Sequence, residues 1–515
     1  MASGFSRTSR VALAGGAWLL GLAAVTIVAA VGPDVRLIEA VKNGNRETAR
    51  ALLQQRIDAN TREVDGTTAL HWAARADDLE IVQLLIRSGA TVDASNRYGI
   101  TPLSLAATNG GARVMAALLE AGANPNGTVP AGETVLMTAS RTGNPEAVTL
   151  LLARGADVNA KESGFGETAL MWAAADNHPA VIALLIEKGA DINAAATVLE
   201  FPKVKVDAAT MVVTALPRGG LTALMYAARQ GSLDAARALS DAGADLNRTD
   251  PDGTSAMVIA VINAHYDLAA LLAEKGADPE VADASGMAAL YAAVDMHTLD
   301  PMINRPPPKT TGQLDAVDFV KALLTRKANP NATLKAPLLA RQHNAGDAAL
   351  GAGATPLMRA AKNGDVTLMR VLVDRGADPN RMTRAGMTPL LFAMAPARRK
   401  SASDALEAVK ICLDGGANVN AANDNGETPL HVAVGQSDGL VRLLAERGAE
   451  LDAKDKQGRT PLDVALGIGG AGAAGGRGGR GGRGGGNAGG SREGTAALLR
   501  ELMDRGTAKP PALPR

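Results

Sequence analysis

The sequence predicts an all-α solenoid, a row of paired antiparallel helices with projecting β-turn or hairpin loops. Three observations carry that expectation. A segment returns about every 33 residues along most of the chain. Most copies open on a Thr-x-Leu start and most close on a Gly-Ala-Asp/Asn run. The residues between are rich in Leu, Val and Ala, with 46% of the chain hydrophobic, yet each unit is too short to bury its own apolar side.

The register runs through Thr68-Ala-Leu-His71-Trp-Ala-Ala, and later copies begin at Thr101, Thr134, Thr168, Thr222, Ser255, Ala288, Thr355, Thr388, Thr428 and Thr460. Thr caps a helix through its hydroxyl, and Pro beside it is pre-set for a first turn. The second segment, for example Ile81-Val-Gln-Leu-Leu-Ile86, turns its Leu and Val positions to the core, and Gly89 ends it in a left-handed conformation. Closing runs such as Gly155-Ala-Asp-Val-Asn159, Gly189-Ala-Asp-Ile-Asn193, Gly376-Ala-Asp-Pro-Asn380 and Gly415-Gly-Ala-Asn-Val-Asn420 favour a tight turn into the loop. Together the two signatures closely resemble the ankyrin-repeat family, over about nine-tenths of the chain. The start is eroded at Thr134, Ser255 and Ala288, where local irregularity is expected.

In order, the chain divides into an apolar N-terminal segment, 1–31, and repeats over 34–193, the first a divergent cap carrying Val41-Lys-Asn-Gly44 and Leu52-Leu53. An inserted loop at 194–220 precedes repeats over 221–331, which hold a Pro-rich insertion at 297–314. A second inserted loop, 332–354, leads to repeats over 355–466, a Gly/Arg-rich loop at 467–494, a capping helix at 495–505 and a tail at 506–515. A smaller interruption falls at 395–404. Within the insertions, Val204-Lys-Val206 and Met211-Val-Val213 are placed to pair as a hairpin, and Arg305-Pro-Pro-Pro-Lys309 should be extended. Long insertions in repeat proteins map to loops, whether binding surfaces or tolerated excursions.

Arg7 and Arg10 precede an uncharged run from Val11 to Val31, closed by Pro33 and Asp34. This reads as a secretory signal with a cleavage site at Val28-Ala29-Ala30, or as an uncleaved anchor, since about twenty apolar residues span a bilayer. Either way the positive end stays inside and the repeats are exported. An Ala-, Gly- and Arg-rich composition points to a bacterial chain. A periplasmic protein, or one held on the inner membrane facing the periplasm, is the expectation, with secretion as the alternative.

Composition narrows the chemistry. Lys plus Arg and Asp plus Glu are 53 each, so no overall field gathers a polyanion, and nucleic acid is not an expected partner. Aromatics are 2%, which disfavours ring-lined ligand pockets and base stacking. Cys412 is the single cysteine, excluding an intramolecular disulfide and a cysteine-based zinc site. Gly467-Ile-Gly469-Gly-Ala-Gly472 fits the dinucleotide fingerprint in letters but follows a helix, not a strand. Arg477, Arg480 and Arg483 in the same tract read as a solvated linker. His71 and His431 take the histidine position that the family uses for a hydrogen bond within the repeat, and the Asp and Asn residues of the turns lie one repeat apart, too far for calcium. No catalytic residue, metal ligand or cofactor is assigned, and the chain is expected to be non-enzymatic, with an enzyme site built by the large insertions as the remote alternative.

What the resemblance implies is a monomeric scaffold that holds a protein partner on its concave side. In the family, loop tips and the far end of each first helix line that side. Carried onto this chain, those places hold Arg97, Tyr98 and Phe165 in the loops, then Arg75, Asn109, Arg141, Asp176, Arg229, Asn263, Lys362 and Asn363. Exposed Tyr, Phe and Arg are the types enriched in interface hot spots.

Overall fold

A computed structural model of the chain describes residues 34–200, 219–298, 309–338, 350–395, 400–468 and 492–505. The apolar segment 1–31, the hairpin expected at 204–213, most of the Pro-rich stretch around Arg305, the Gly/Arg-rich tract beyond residue 468 and the tail 506–515 lie outside those residues. Within them stand 24 helices, pairing two by two from Arg36–Lys42 with Arg46–Gln54 to Pro461–Leu466 with Arg492–Arg505. No strand occurs among the described residues; isolated bridges such as Arg62 to Thr68 and Thr128 to Thr134 pinch the bases of loops. The all-α solenoid is the observed fold.

Local chemistry sets each pair. Thr101 Oγ1 accepts from the Ser104 N–H at 3.2 Å, and Thr388 Oγ1 from Leu391 at 3.2 Å, filling orphan donors of the first turn. At Thr68 a histidine contributes to the cap. His71 Nδ1 accepts from the Thr68 backbone N–H at 3.1 Å, while Nε2 bonds the Ile100 carbonyl of the next unit at 3.0 Å. This bond crosses between repeats as well as closing one. The eroded starts nonetheless give regular helices, Val135–Thr142, Ala256–Ile262 and Ala289–His297, although Ala288 has no side chain to cap with. Burial of Leu136, Met257 and Leu290 outweighs a missing cap of about 1 kcal/mol. Second helices stop at glycines such as Gly89, whose φ of 84° disfavours other residues, with the Ala90 N–H returning to the Leu85 carbonyl at 3.0 Å.

Tertiary packing then lines the first helices in an unbroken row, each touching the next from Arg36–Lys42 to Pro461–Leu466. Between them Leu70, Leu103, Leu136, Leu170, Leu224, Leu290, Leu357, Leu390 and Leu430, one per unit, are at most 2% exposed. Each fully buried leucine is worth roughly 1.5–3 kcal/mol, but only when a neighbour covers it.

A second set of links runs down the turns. Asn60 Nδ2 donates to the Gly89 carbonyl at 2.9 Å while its Oδ1 accepts from the Thr91 N–H at 2.7 Å. Asn126, Asn159, Asn331, Asn380 and Asn420 repeat this two-handed bond to the following unit. The preceding acid or amide shapes the turn itself, as where Asp157 Oδ1 accepts from the Asn159 N–H at 2.9 Å. Turn chemistry therefore explains only half of the closing signature; its asparagine is an inter-repeat clamp. Replacing Asn380 by Ala removes both bonds and should cost about 1–2 kcal/mol, read as a lower urea midpoint with the helical circular dichroism at zero urea unchanged.

Candidate functional site

The first-helix face carries three aromatic rings, each stacked by a cation, two of them also hydrogen-bonded to a carboxylate. Trp72, four residues after Thr68, donates from Nε1 to Glu63 Oε2 at 2.8 Å. Lys42 Nζ lies 4.6 Å from the centre of that ring, and the Arg75 guanidinium 5.5 Å from it. Lys42 also pairs with Glu63 Oε1 at 3.3 Å. Trp172 holds the same register after Thr168, with the Arg141 guanidinium reaching back from the preceding unit to 4.8 Å over its ring. Glu133 accepts from Thr138 Oγ1 at 2.7 Å and lies 3.8 Å from Arg141. Tyr226, four residues after Thr222, donates its hydroxyl to Glu167 of the unit before and has Arg229 at 4.8 Å. Burial, then the Glu167 hydrogen bond, raises the pKa of that hydroxyl well above the usual tyrosine range, so it stays a donor.

Such stacked pairs are worth about 0.5–1 kcal/mol at exposed sites, enough to hold the cations in place without neutralising them. Among the described residues Trp172 Nε1 is buried with no hydrogen-bond partner. Beyond Tyr226 the character of the row changes: Asp295 and Arg359, whose side chains are 5% and 8% exposed, meet at 2.7 Å as a closed ion pair between adjacent units. A buried pair of this kind contributes specificity of stacking more than net stability.

Of the residues expected to meet a partner, Arg75, Arg141 and Arg229 gather on this row. Arg97 and Tyr98 share a loop tip, Arg97 donating to the Tyr98 hydroxyl at 2.7 Å with its guanidinium 4.9 Å from the ring centre. Phe165 projects from another tip, 57% exposed. Asp176 is exposed at the end of the helix Ala169–Ala175. Asn109 and Asn363 serve the stack instead: their Nδ2 atoms donate to the Arg75 and Thr298 carbonyls of the preceding units. His178, His265 and Gln436 do the same for the carbonyls of Arg141, Arg229 and Met394. Asn263 donates to Ile259 of its own helix at 2.8 Å. Lys362 is half-buried near Lys400, whose ammonium burial and the Lys362 charge push down to about 8, and which donates to the Ala393 carbonyl at 2.8 Å.

Composition concealed the rings. Only 2% of residues are aromatic, yet Trp72, Trp172 and Tyr226 all stand at the fourth position after a repeat start. Aligning the copies and reading one column would have found them. Among the described residues no three His, Cys, Asp or Glu side chains converge as a metal site, and no helix is long and apolar enough to cross a membrane.

The stacked helix pairs define a helical-repeat protein. Models of ankyrin repeats match residues 37–129, 127–196, 205–300 and 397–469, and a second ankyrin-repeat model matches 170–239 and 350–395. The chain belongs to the ankyrin-repeat family, whose repeats build protein–protein interaction scaffolds. Over 65 residues it is 42% identical to alpha-latroinsectotoxin-Lt1a of Latrodectus tredecimguttatus, covering 12% of this chain and 5% of that protein. Over 63 residues it is 38% identical to the Notch-regulated ankyrin repeat-containing protein of Xenopus laevis, covering 12% of this chain and 55% of the relative. The chain thus spans about half or less of the length of these curated relatives. A crystal structure of the human ASB11 ankyrin repeat domain aligns with 47% of this chain and 98% of its own, at 24% identity and a TM-score of 0.39.

Two histidines give opposite pH signatures. Burial lowers the pKa of His71, so its folded state holds fewer protons than the unfolded chain, and its contribution is lost as pH falls below about 6.5. The hydrogen bond to Asp365 raises the pKa of His297, whose contribution is present below about 6.5 and lost as pH rises through the folded value. Relative to His71→Gln, the wild-type urea midpoint should therefore drop on acidification; relative to His297→Gln, it should drop on raising the pH above neutrality. Parallel pH profiles for all three proteins would contradict both assignments.

Proposed function

We propose that this chain is a non-enzymatic scaffold of the cell envelope that holds a protein partner along its first-helix groove. The row Lys42, Glu63, Trp72 and Arg75, then Glu133, Arg141 and Trp172, then Glu167, Tyr226 and Arg229 carries the reading. Rings that are fixed in place and flanked by held charges of both signs offer apolar area and directed polar contacts at little conformational cost, the make-up of a protein-binding hot spot. A single-sign track would suit a polyanion; alternating acids and bases suit a polypeptide surface with matching charges. Relative to this groove, Asn109 and Asn363 are support, because their amides are committed to the neighbouring unit.

The envelope assignment rests on the basic start and the uncharged run Val11–Val31 ahead of the first helix. Its partner is a protein exposed on the same side of the membrane. A scaffold of this design orders its partner by shape and charge and performs no bond-making step of its own.

Crosslinking in intact cells, followed by recovery of the chain from envelope fractions, tests the reading. The wild type should recover a specific protein; Arg141→Glu combined with Arg229→Glu should weaken that complex about tenfold or more, the scale of a lost hot spot. Arg87→Glu, exposed on a second helix, should leave it intact. Equal recovery by the groove variant and the wild type would remove the groove from the function. Accumulation in the culture medium, with none in the envelope, would replace the scaffold by a secreted effector.

A further inference from the structure

The loops that feed the first helices expose an apolar side chain at each of the first five tips, whereas among the later described tips Met382, exposed by 48%, stands beside mostly polar neighbours. Val64, Tyr98, Phe165 and Val198, exposed by 101%, 54%, 57% and 53%, occupy the first, second, fourth and fifth tips, and Pro130 stands exposed at the third. The later tips carry Arg384, Asp424 and Lys456 in exposed positions. Scattered exposed apolar residues need no explanation, but five successive tips form a strip.

Successive tips of the strip are linked. The Arg97 N–H donates to the Asp65 carbonyl at 2.7 Å, Ser163 to Ala131 at 3.1 Å and Thr197 to Phe165 at 2.7 Å, so each tip is tied to its neighbour through the backbone. Pro130 has no N–H to offer and packs instead on Gly99, where a Cβ would lie 2.6 Å from its ring. With repeats roughly 8–10 Å apart, five tips make an edge about 40 Å long.

Exposed charge on this edge is mostly, though not wholly, positive. Arg62, Arg97 and Lys161 are exposed, while Glu162 is buried and folded under its own turn, accepting from the backbone N–H groups of Gly164, Phe165 and Glu167. Asp65 accepts from the Thr67 N–H at 2.9 Å, and Glu200 is the exposed carboxylate beside Val198. Apolar tips interspersed with cations complement a bilayer interface, where rings sit at headgroup depth and Arg and Lys meet phosphates.

The path of the chain points the same way. In every later unit a loop runs into the N-terminus of the first helix. Val35, exposed by 37%, holds that position in the first unit, and the uncharged run Val11–Val31 ends four residues before it in sequence. Four residues reach about 14 Å at full extension. If Val31 ends at the membrane surface, the first helix begins within that distance of it.

We propose that the loop-tip edge of the first five repeats lies against a lipid bilayer, beside the point where the N-terminal apolar segment enters it. The groove then opens sideways along the membrane, and Tyr98 and Phe165 contact lipid instead of the protein partner. The inference deepens the envelope reading above and uses its anchored form.

The full chain reconstituted in vesicles of phosphatidylethanolamine and phosphatidylglycerol tests it. Cys412 is buried, with burial pushing its thiol up to about 12, so single labels can be placed elsewhere without removing it. An environment-sensitive fluorophore on Tyr98→Cys or Phe165→Cys should shift to the blue and be quenched by lipid-borne spin labels several-fold more than one on Arg384→Cys or Lys456→Cys. Adding Val64→Asp and Val198→Asp, both far from the core, should return the first two to watery emission. Equal quenching at all four positions on protein that floats with the vesicles would overturn the edge alone, and would leave these tips to a protein partner. Failure of the chain to float with vesicles would end both the edge and the anchor, whereas the groove is decided separately by the crosslinking experiment.

Discussion

Asn159 joins two units with one side chain, giving its amide hydrogen to the Gly189 carbonyl and taking the Asp191 N–H on its oxygen. That bond and the leucine row beneath it express one constraint: no unit can satisfy its own backbone ends or cover its own apolar side. Each depends on the unit that follows. Stability therefore accumulates as a sum of neighbour contacts, and damage at one joint is felt first by the two units that share it. The buried Asp295–Arg359 pair belongs to the same logic, because each residue on its own would be an uncompensated charge.

The ring-and-cation face is a by-product of that stacking. First helices in a continuous row bring the fourth residue of one copy beside the seventh of its neighbour, so Arg141 meets Trp172 from the adjacent unit. Within one copy the same positions lie a turn apart on one helix face, which is how Arg75 meets Trp72 and Arg229 meets Tyr226. Carboxylates enter from the loops ahead of the starts at Thr68, Thr134 and Thr168, as Glu63, Glu133 and Glu167. A long, regular surface results from short local rules, and its chemistry can vary from copy to copy without disturbing the leucines behind it.

Much of the fold was legible because its signals are local and repeated. Thr at most caps, Gly after most second helices and the Leu spacing between them recur often enough that one eroded copy, such as that at Ala288, does not break the register. The groove was harder to read. Arg75, Arg141 and Arg229 could be placed on the first-helix face by analogy between copies, but the rings they stack on were hidden by a low aromatic count. Asn109 and Asn363 looked like exposed polar positions of the same kind. Their amides turn to the carbonyls of the preceding unit, a partner more than 30 residues away.

The sequence by itself determined the helical period and the paired-helix fold, since caps, turn residues and apolar spacing act within a few residues of one another. Tertiary stacking decided which polar side chains face outward and which clamp one unit to the next. Asn, His and Arg serve either purpose equally well as isolated residues. The choice depends on whether a neighbouring carbonyl, ring or carboxylate comes within about 3–5 Å, and that distance exists only once the units are packed.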